Sequence, residues 1–110
     1  SFKYAFNGLR LFFSVVHNGW VHTFAAIVAI CLSWYLKISA LEWVAILCAI
    51  SGVMVAEIFN SAVEKLADVV SPDYNPKIKV VKDLAAAAVL VAVFLALTIG
   101  GIIFLPKLIL

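Results

Sequence analysis

Charge is scarce in this chain. Eight lysines and arginines and six aspartates and glutamates make up 13% of 110 residues, while 66% are hydrophobic. A soluble domain of this size cannot hide that much apolar surface, so a water-soluble fold is excluded. The chain is read as an integral membrane protein, too short for two domains. Cysteine is also scarce. Cys31 and Cys48 lie within apolar runs without metal-ligand spacing and are read as small core or lipid-facing residues. The five glycines form neither a P-loop nor a kinase glycine loop, which excludes a soluble kinase fold. A net charge of +2 gives no reason to expect nucleic acid as a partner. The first residues are amphipathic rather than a short basic stretch before an apolar run, so no cleavable signal peptide is expected. No internal repeat or low-complexity segment is evident.

What is present organises the chain into helices. Residues 1–16 predict an amphipathic helix. Lys3, Asn7, Arg10 and Ser14 form a polar stripe, and Phe2, Phe6, Leu9, Phe12 and Phe13 cover much of the opposite side. That pattern suits a helix lying in the membrane interface. His17, Asn18 and Gly19 break it, and Trp20 and His22 mark the next interface. A first span is expected over residues 20–36, short against the roughly 20 residues of a full crossing. Trp34, Tyr35 and Lys37 mark its far end. Ser39 followed by Glu42 reads as a capping box opening a second helix over residues 40–70. That helix is longer than the hydrocarbon core, so its charged final turns should project into the headgroup region. Ser71-Pro72-Asp73-Tyr74-Asn75-Pro76 is a turn-rich loop. A third span is expected over residues 81–105, ending before Pro106 and Lys107. Its alanine run at 85–88 allows close helix approach. Lys77, Lys79 and Lys82, with Lys65 nearby, outnumber the single Lys37 of the other loop. The positive-inside rule therefore places the N-terminus and the second loop in the cytoplasm.

The second helix carries the chemistry. Glu57, Asn60, Ser61, Glu64 and Asp68 share an arc of about 100° on one helix face. The segment before them, residues 41–56, is almost wholly apolar. A carboxylate deep in a bilayer costs roughly 2.5–3.5 kcal/mol on insertion scales, so several on one stripe point to a site for metal, phosphate or a proton. Carboxylates hold Mg²⁺, a lysine such as Lys82 neutralises phosphoryl charge, and a partly buried carboxylate suits a general base. Together these are the parts of phosphoryl transfer. An ion or proton pathway uses acidic helix residues too, so the constellation alone leaves enzyme and transport or structural roles open.

At these residues the chain resembles a known family. Glu57-Ile-Phe-Asn60-Ser-Ala-Val-Glu64-Lys-Leu-Ala-Asp68, followed by Lys82-Asp83-Leu-Ala-Ala-Ala-Ala-Val, is similar to the signature of small bacterial membrane lipid kinases, the prokaryotic diacylglycerol and undecaprenol kinases. The resemblance covers nearly the whole chain. The opening Ser1-Phe-Lys-Tyr-Ala-Phe-Asn-Gly8, with His17-Asn18 and His22, looks closer to the undecaprenol kinase branch. It implies an all-α homotrimer in the bacterial inner membrane. Each subunit would have an interfacial helix and three spans, with composite active sites at the cytoplasmic face. It implies ATP as co-substrate, Mg²⁺, and transfer of the γ-phosphate to a lipid hydroxyl.

Carried onto matching positions, the resemblance makes Glu57 the general base and has Glu64 hold the metal that bridges the ATP phosphates. Asn60 and Asp68 would order the site. Lys82 would contact phosphate and Asp83 the nucleotide. Tyr4 and Asp73-Tyr74-Asn75 match nucleotide-contacting positions, and Ala86 falls in the lipid pocket. The family usually has a second metal-binding glutamate where this chain has Val16, counted from Gly8-Leu9-Arg10 and His22. Valine cannot coordinate Mg²⁺. Glu64 and water suffice, His17 or Asn18 contributes, or activity is weakened or lost within the same fold. A smaller departure is Ala87, where the undecaprenol kinase branch commonly has glycine; its extra methyl would narrow a helix contact or the lipid pocket.

Overall fold

The computed structural model describes residues 1–16 and 19–110. The described residues form four helices: α1 (Phe2–Ser14), α2 (Gly19–Tyr35), α3 (Ala40–Val70) and α4 (Pro76–Ile109). The expected helix over 1–16 is thus shorter at both ends. The expected breaks at His17 and Asn18 lie outside the described residues.

α3 and α4 pack as an antiparallel hairpin fixed at both ends. At one end Lys107 Nζ donates to Glu42 Oε2 at 2.8 Å. At the other Lys82 Nζ donates to Asp68 Oδ1 at 2.7 Å. At about 1.5 Å per residue these helices run to about 46 and 51 Å, against a hydrocarbon core of about 30 Å. Both are long and apolar enough to cross a membrane. α2 has 17 residues, too few for a full crossing by itself, and its axis is inclined by 91° to that of α1. The pair counts as a third candidate span only when taken together. α1 meets the start of α2 where Phe12 is 2% exposed. Gly19 permits that approach, since a Cβ there would collide with the Phe12 carbonyl.

Local chemistry sets the helix ends. Ser39 Oγ accepts from the Glu42 N–H at 3.2 Å, and Glu42 Oε1 accepts from the Ser39 N–H at 2.9 Å. This is the expected capping box, and it leaves the other Glu42 oxygen for Lys107. Asn75 Oδ1 accepts from the N–H groups of Lys77 and Ile78, and Pro76 occupies the first helical turn. The loop therefore shortens to residues 71–75, and α4 begins five residues before the expected span. Its far end also differs from expectation. The helix passes through Pro106 and stops at Ile109. A proline lacks one N–H and obstructs the preceding turn, but here only the last turn follows it, and the Lys107–Glu42 pair holds that turn in place.

α2 closes through Lys37, two residues past its end, with φ of 53° in the left-handed region. The Ile38 N–H returns to the Ser33 carbonyl and the Lys37 N–H to that of Trp34, both at 3.3 Å. That is a Schellman closure with lysine where glycine is usual. It delivers Ile38 into a small core with Ile46 and Ile103 at the Lys107–Glu42 end of the hairpin. Within the alanine run only Ala85 is half-buried, while Ala86, Ala87 and Ala88 are exposed. Cys31 and Cys48 are free and exposed, matching the lipid-facing reading rather than the core one.

Candidate active site

The polar stripe of α3 passes from buried to exposed along its length. Glu57, Asn60 and Ser61 are buried, whereas Glu64 and Asp68 are exposed. The change is not a change of face. Asn60, Glu64 and Ala67 point in nearly one direction, and Asn60 and Ala67 are buried on either side of the exposed Glu64. The helix packing therefore opens at Glu64.

Two contacts tie the stripe into the fold and a third links two of its own members. Glu57 Oε2 lies 3.5 Å from Nε2 of His22 on α2. Asn60 Nδ2 donates to Glu64 Oε1 at 3.4 Å, a long bond between successive turns. Lys82 on α4 donates to Asp68. Asn60 Oδ1 is buried and has no hydrogen-bond partner among the described residues. An unpartnered buried acceptor costs about 1–3 kcal/mol, so this oxygen is available to a ligand.

Mg²⁺ fits this donor set in chemistry. The ion takes oxygen ligands and is usually held by one or two carboxylates, substrate phosphates and water. Glu64 brings an exposed carboxylate and Asn60 a free amide oxygen one turn away. Among the described residues no three His, Cys, Asp or Glu side chains converge as a closed metal cage.

An apolar groove of about 470 Å³ runs between α2, α3 and α4. His22, Met54 and Ala96 line one end, and Leu32, Phe104 and Leu108 the other. It exists because small side chains face it, among them Ala29, Ala49, Gly100 and Gly101. Glu57 lies one helical turn past Met54, so a buried carboxylate stands just beyond the polar end of a slot for hydrocarbon.

The remaining candidate residues are more dispersed. Asp83 is held by Lys79 at 2.6 Å. Asn75 is engaged as the cap of α4. Tyr4, Asp73 and Tyr74 are exposed on α1 and the α3–α4 loop. Ala86 is exposed on α4 and does not line the groove. Val16 is half-buried. The sequence reading gave His22 only an interfacial role. The signal for more was present: His22, Ala26, Ala29 and Ser33 follow i, i+4, i+7, i+11, a stripe of small and polar residues on an otherwise bulky helix.

The chain is similar to known proteins over most of its length. The family model for prokaryotic diacylglycerol kinase matches residues 3–104. A diacylglycerol kinase of Synechocystis is 37% identical over 110 residues, covering 98% of this chain and 62% of its own length. An undecaprenol kinase of Bacillus subtilis is 33% identical over 108 residues, covering 98% of this chain and 88% of its own. The diacylglycerol kinase of Escherichia coli is 32% identical over 72 residues, covering 66% of this chain and 59% of its own.

Proposed function

This chain belongs to the prokaryotic diacylglycerol kinase family, and we propose that it transfers the γ-phosphate of ATP to the hydroxyl of a membrane lipid alcohol, diacylglycerol or undecaprenol. One observation carries this reading: the buried carboxylate of Glu57 beside the polar end of a groove fit for hydrocarbon. A lipid chain in the groove brings its headgroup hydroxyl to the turn that bears Glu57. The carboxylate accepts the hydroxyl proton as the oxygen bonds to the γ-phosphorus and the bond to the leaving ADP oxygen breaks. Holding the two reactants in line is much of the catalysis in such transfers.

The opening at Glu64 suits the polyphosphate. Glu64, ordered by Asn60, would hold Mg²⁺, which supplies charge neutralisation at the phosphates when bound. Lys82 is exposed enough to leave Asp68 for a phosphate oxygen. Tyr4, Asp73, Tyr74, Asn75 and Asp83 are assigned to the nucleotide, and Ala86 to the lipid path, by family resemblance. The lysines at 77, 79 and 82 support a cytoplasmic α3–α4 loop, with α1 lying in the interface on the same side. Residence in a bacterial inner membrane and assembly as a homotrimer with composite sites complete the reading. The exposure of Glu64 between the buried Asn60 and Ala67 suits a site finished by other groups.

A second reading has one specific observation in its favour. Val16 stands where the family resemblance expects a metal-binding glutamate, which suits a catalytically weakened member of the same fold. The test is phosphotransfer by the purified protein in lipid micelles with Mg²⁺ and ATP, offering diacylglycerol and undecaprenol side by side. Phosphorylated lipid establishes the kinase and names its acceptor. No product from folded protein overturns the catalytic reading.

A further inference from the structure

We propose that His22 is the positioning residue of Glu57, holding the carboxylate toward the polar end of the groove. The inference rests on the reading of Glu57 as the base. Three observations carry it. His22 Nε2 lies 3.5 Å from Glu57 Oε2. Among the described residues His22 is the only basic side chain with a nitrogen within 4 Å of that carboxylate. His22 also lines the groove itself, so it touches both the hydrocarbon slot and the base.

The burial pattern gives His22 its leverage. The Glu57 side chain is 6% exposed and that of His22 is 19% exposed. The carboxylate has almost no water to orient it, and a buried carboxylate turns toward whatever donor is present. The His22 ring, with Nε2 3.5 Å from Oε2, is the cross-helix polar group at this carboxylate and limits the directions it can take.

Among the described residues no second basic side chain lies within 4 Å of Glu57. On α3 the neighbouring buried polar side chains are Asn60 and Ser61, both neutral. α4 contributes apolar lining at this level, and its Lys82 is engaged by Asp68. α1 carries Lys3 and Arg10, both exposed, with Arg10 turned onto Asn7.

Two measurements test the proposal. The first is kcat and the KM for ATP of wild type, His22→Gln and His22→Phe at saturating lipid. Gln keeps a polar amide near the Nε2 position. The expected result is most of kcat kept in His22→Gln and a loss of tenfold or more in His22→Phe, with the KM for ATP unchanged in both. An unaltered kcat in His22→Phe, or an equal loss in His22→Gln, overturns the proposal. The second measurement needs no turnover. Nitrogen-15 NMR of histidine-labelled protein, with His22 identified from the His22→Gln variant, follows the imidazole in wild type and in Glu57→Gln. The His22 ring-nitrogen shifts at one fixed pH should differ between the two, and identical shifts would refute the pairing even if the kinase reading stands. If wild type phosphorylates no lipid but the NMR coupling is present, the kinase reading fails while the pairing survives.

Discussion

Lys82 Nζ donates to Asp68 Oδ1 across 2.7 Å, joining α4 to α3 at the charged end of the hairpin. Both side chains are well exposed, so the pair adds little to stability. Its value on the proposed reading is to keep a lysine beside the phosphate path. Lys82→Met is expected to raise the KM for ATP tenfold or more and leave the thermal midpoint nearly unchanged. Nucleotide titration and a melting curve on the same sample check both halves. A large drop in melting temperature with unaltered ATP affinity would make the pair structural.

The groove makes a separate prediction. Ala29 faces it from α2, and Ala29→Leu puts three more carbons into the slot. The KM for the lipid should rise several-fold while the KM for ATP stays constant. Initial rates at varied lipid mole fraction read the first, and rates at varied ATP the second.

Val16 bears on the strength of catalysis. If the site lacks a carboxylate there, Val16→Glu should increase turnover markedly and tighten Mg·ATP binding. An unchanged rate would mean that Glu64, with its neighbours and water, is sufficient.

Lys37 tests the fold away from the site. A non-glycine residue in the left-handed region carries a penalty of roughly 1–2 kcal/mol. Lys37 adopts φ of 53° at the closure of α2. Lys37→Gly is therefore expected to stabilise the protein by about 1 kcal/mol, seen as a raised unfolding midpoint in micelles. A lowered midpoint would show that the lysine side chain earns its place by other contacts.

Much of this architecture is legible in the residues themselves. Ser39 and Glu42 announce the start of α3 because a capping box is a local, three-residue interaction. The stripe from Glu57 to Asp68 is legible because helical spacing alone puts those residues on one face. Tertiary partners are less so. Pro106 reads as a stop signal, yet the helix continues because only one turn follows the proline, and Lys107 in that turn reaches Glu42, 65 residues away in sequence. The left-handed Lys37 is hidden because glycine is the usual signal for that conformation. His22 is undervalued because its partner lies on another helix, and only the small-residue face of α2 hints that this side is buried. Which members of the stripe are buried depends on where the packing opens, and that is set by three helices together.

The central claim is that Glu57 takes the proton from a lipid hydroxyl. The most direct measurement compares wild type with Glu57→Gln in phosphate transfer from ATP to lipid, alongside equilibrium ATP binding. Glutamine keeps the shape and removes the basic oxygen. The expected result is a fall in turnover of about 10²–10⁴-fold, the range of a general base, with ATP binding intact. Turnover within tenfold of wild type would contradict the assignment and leave the buried carboxylate as a structural partner of His22.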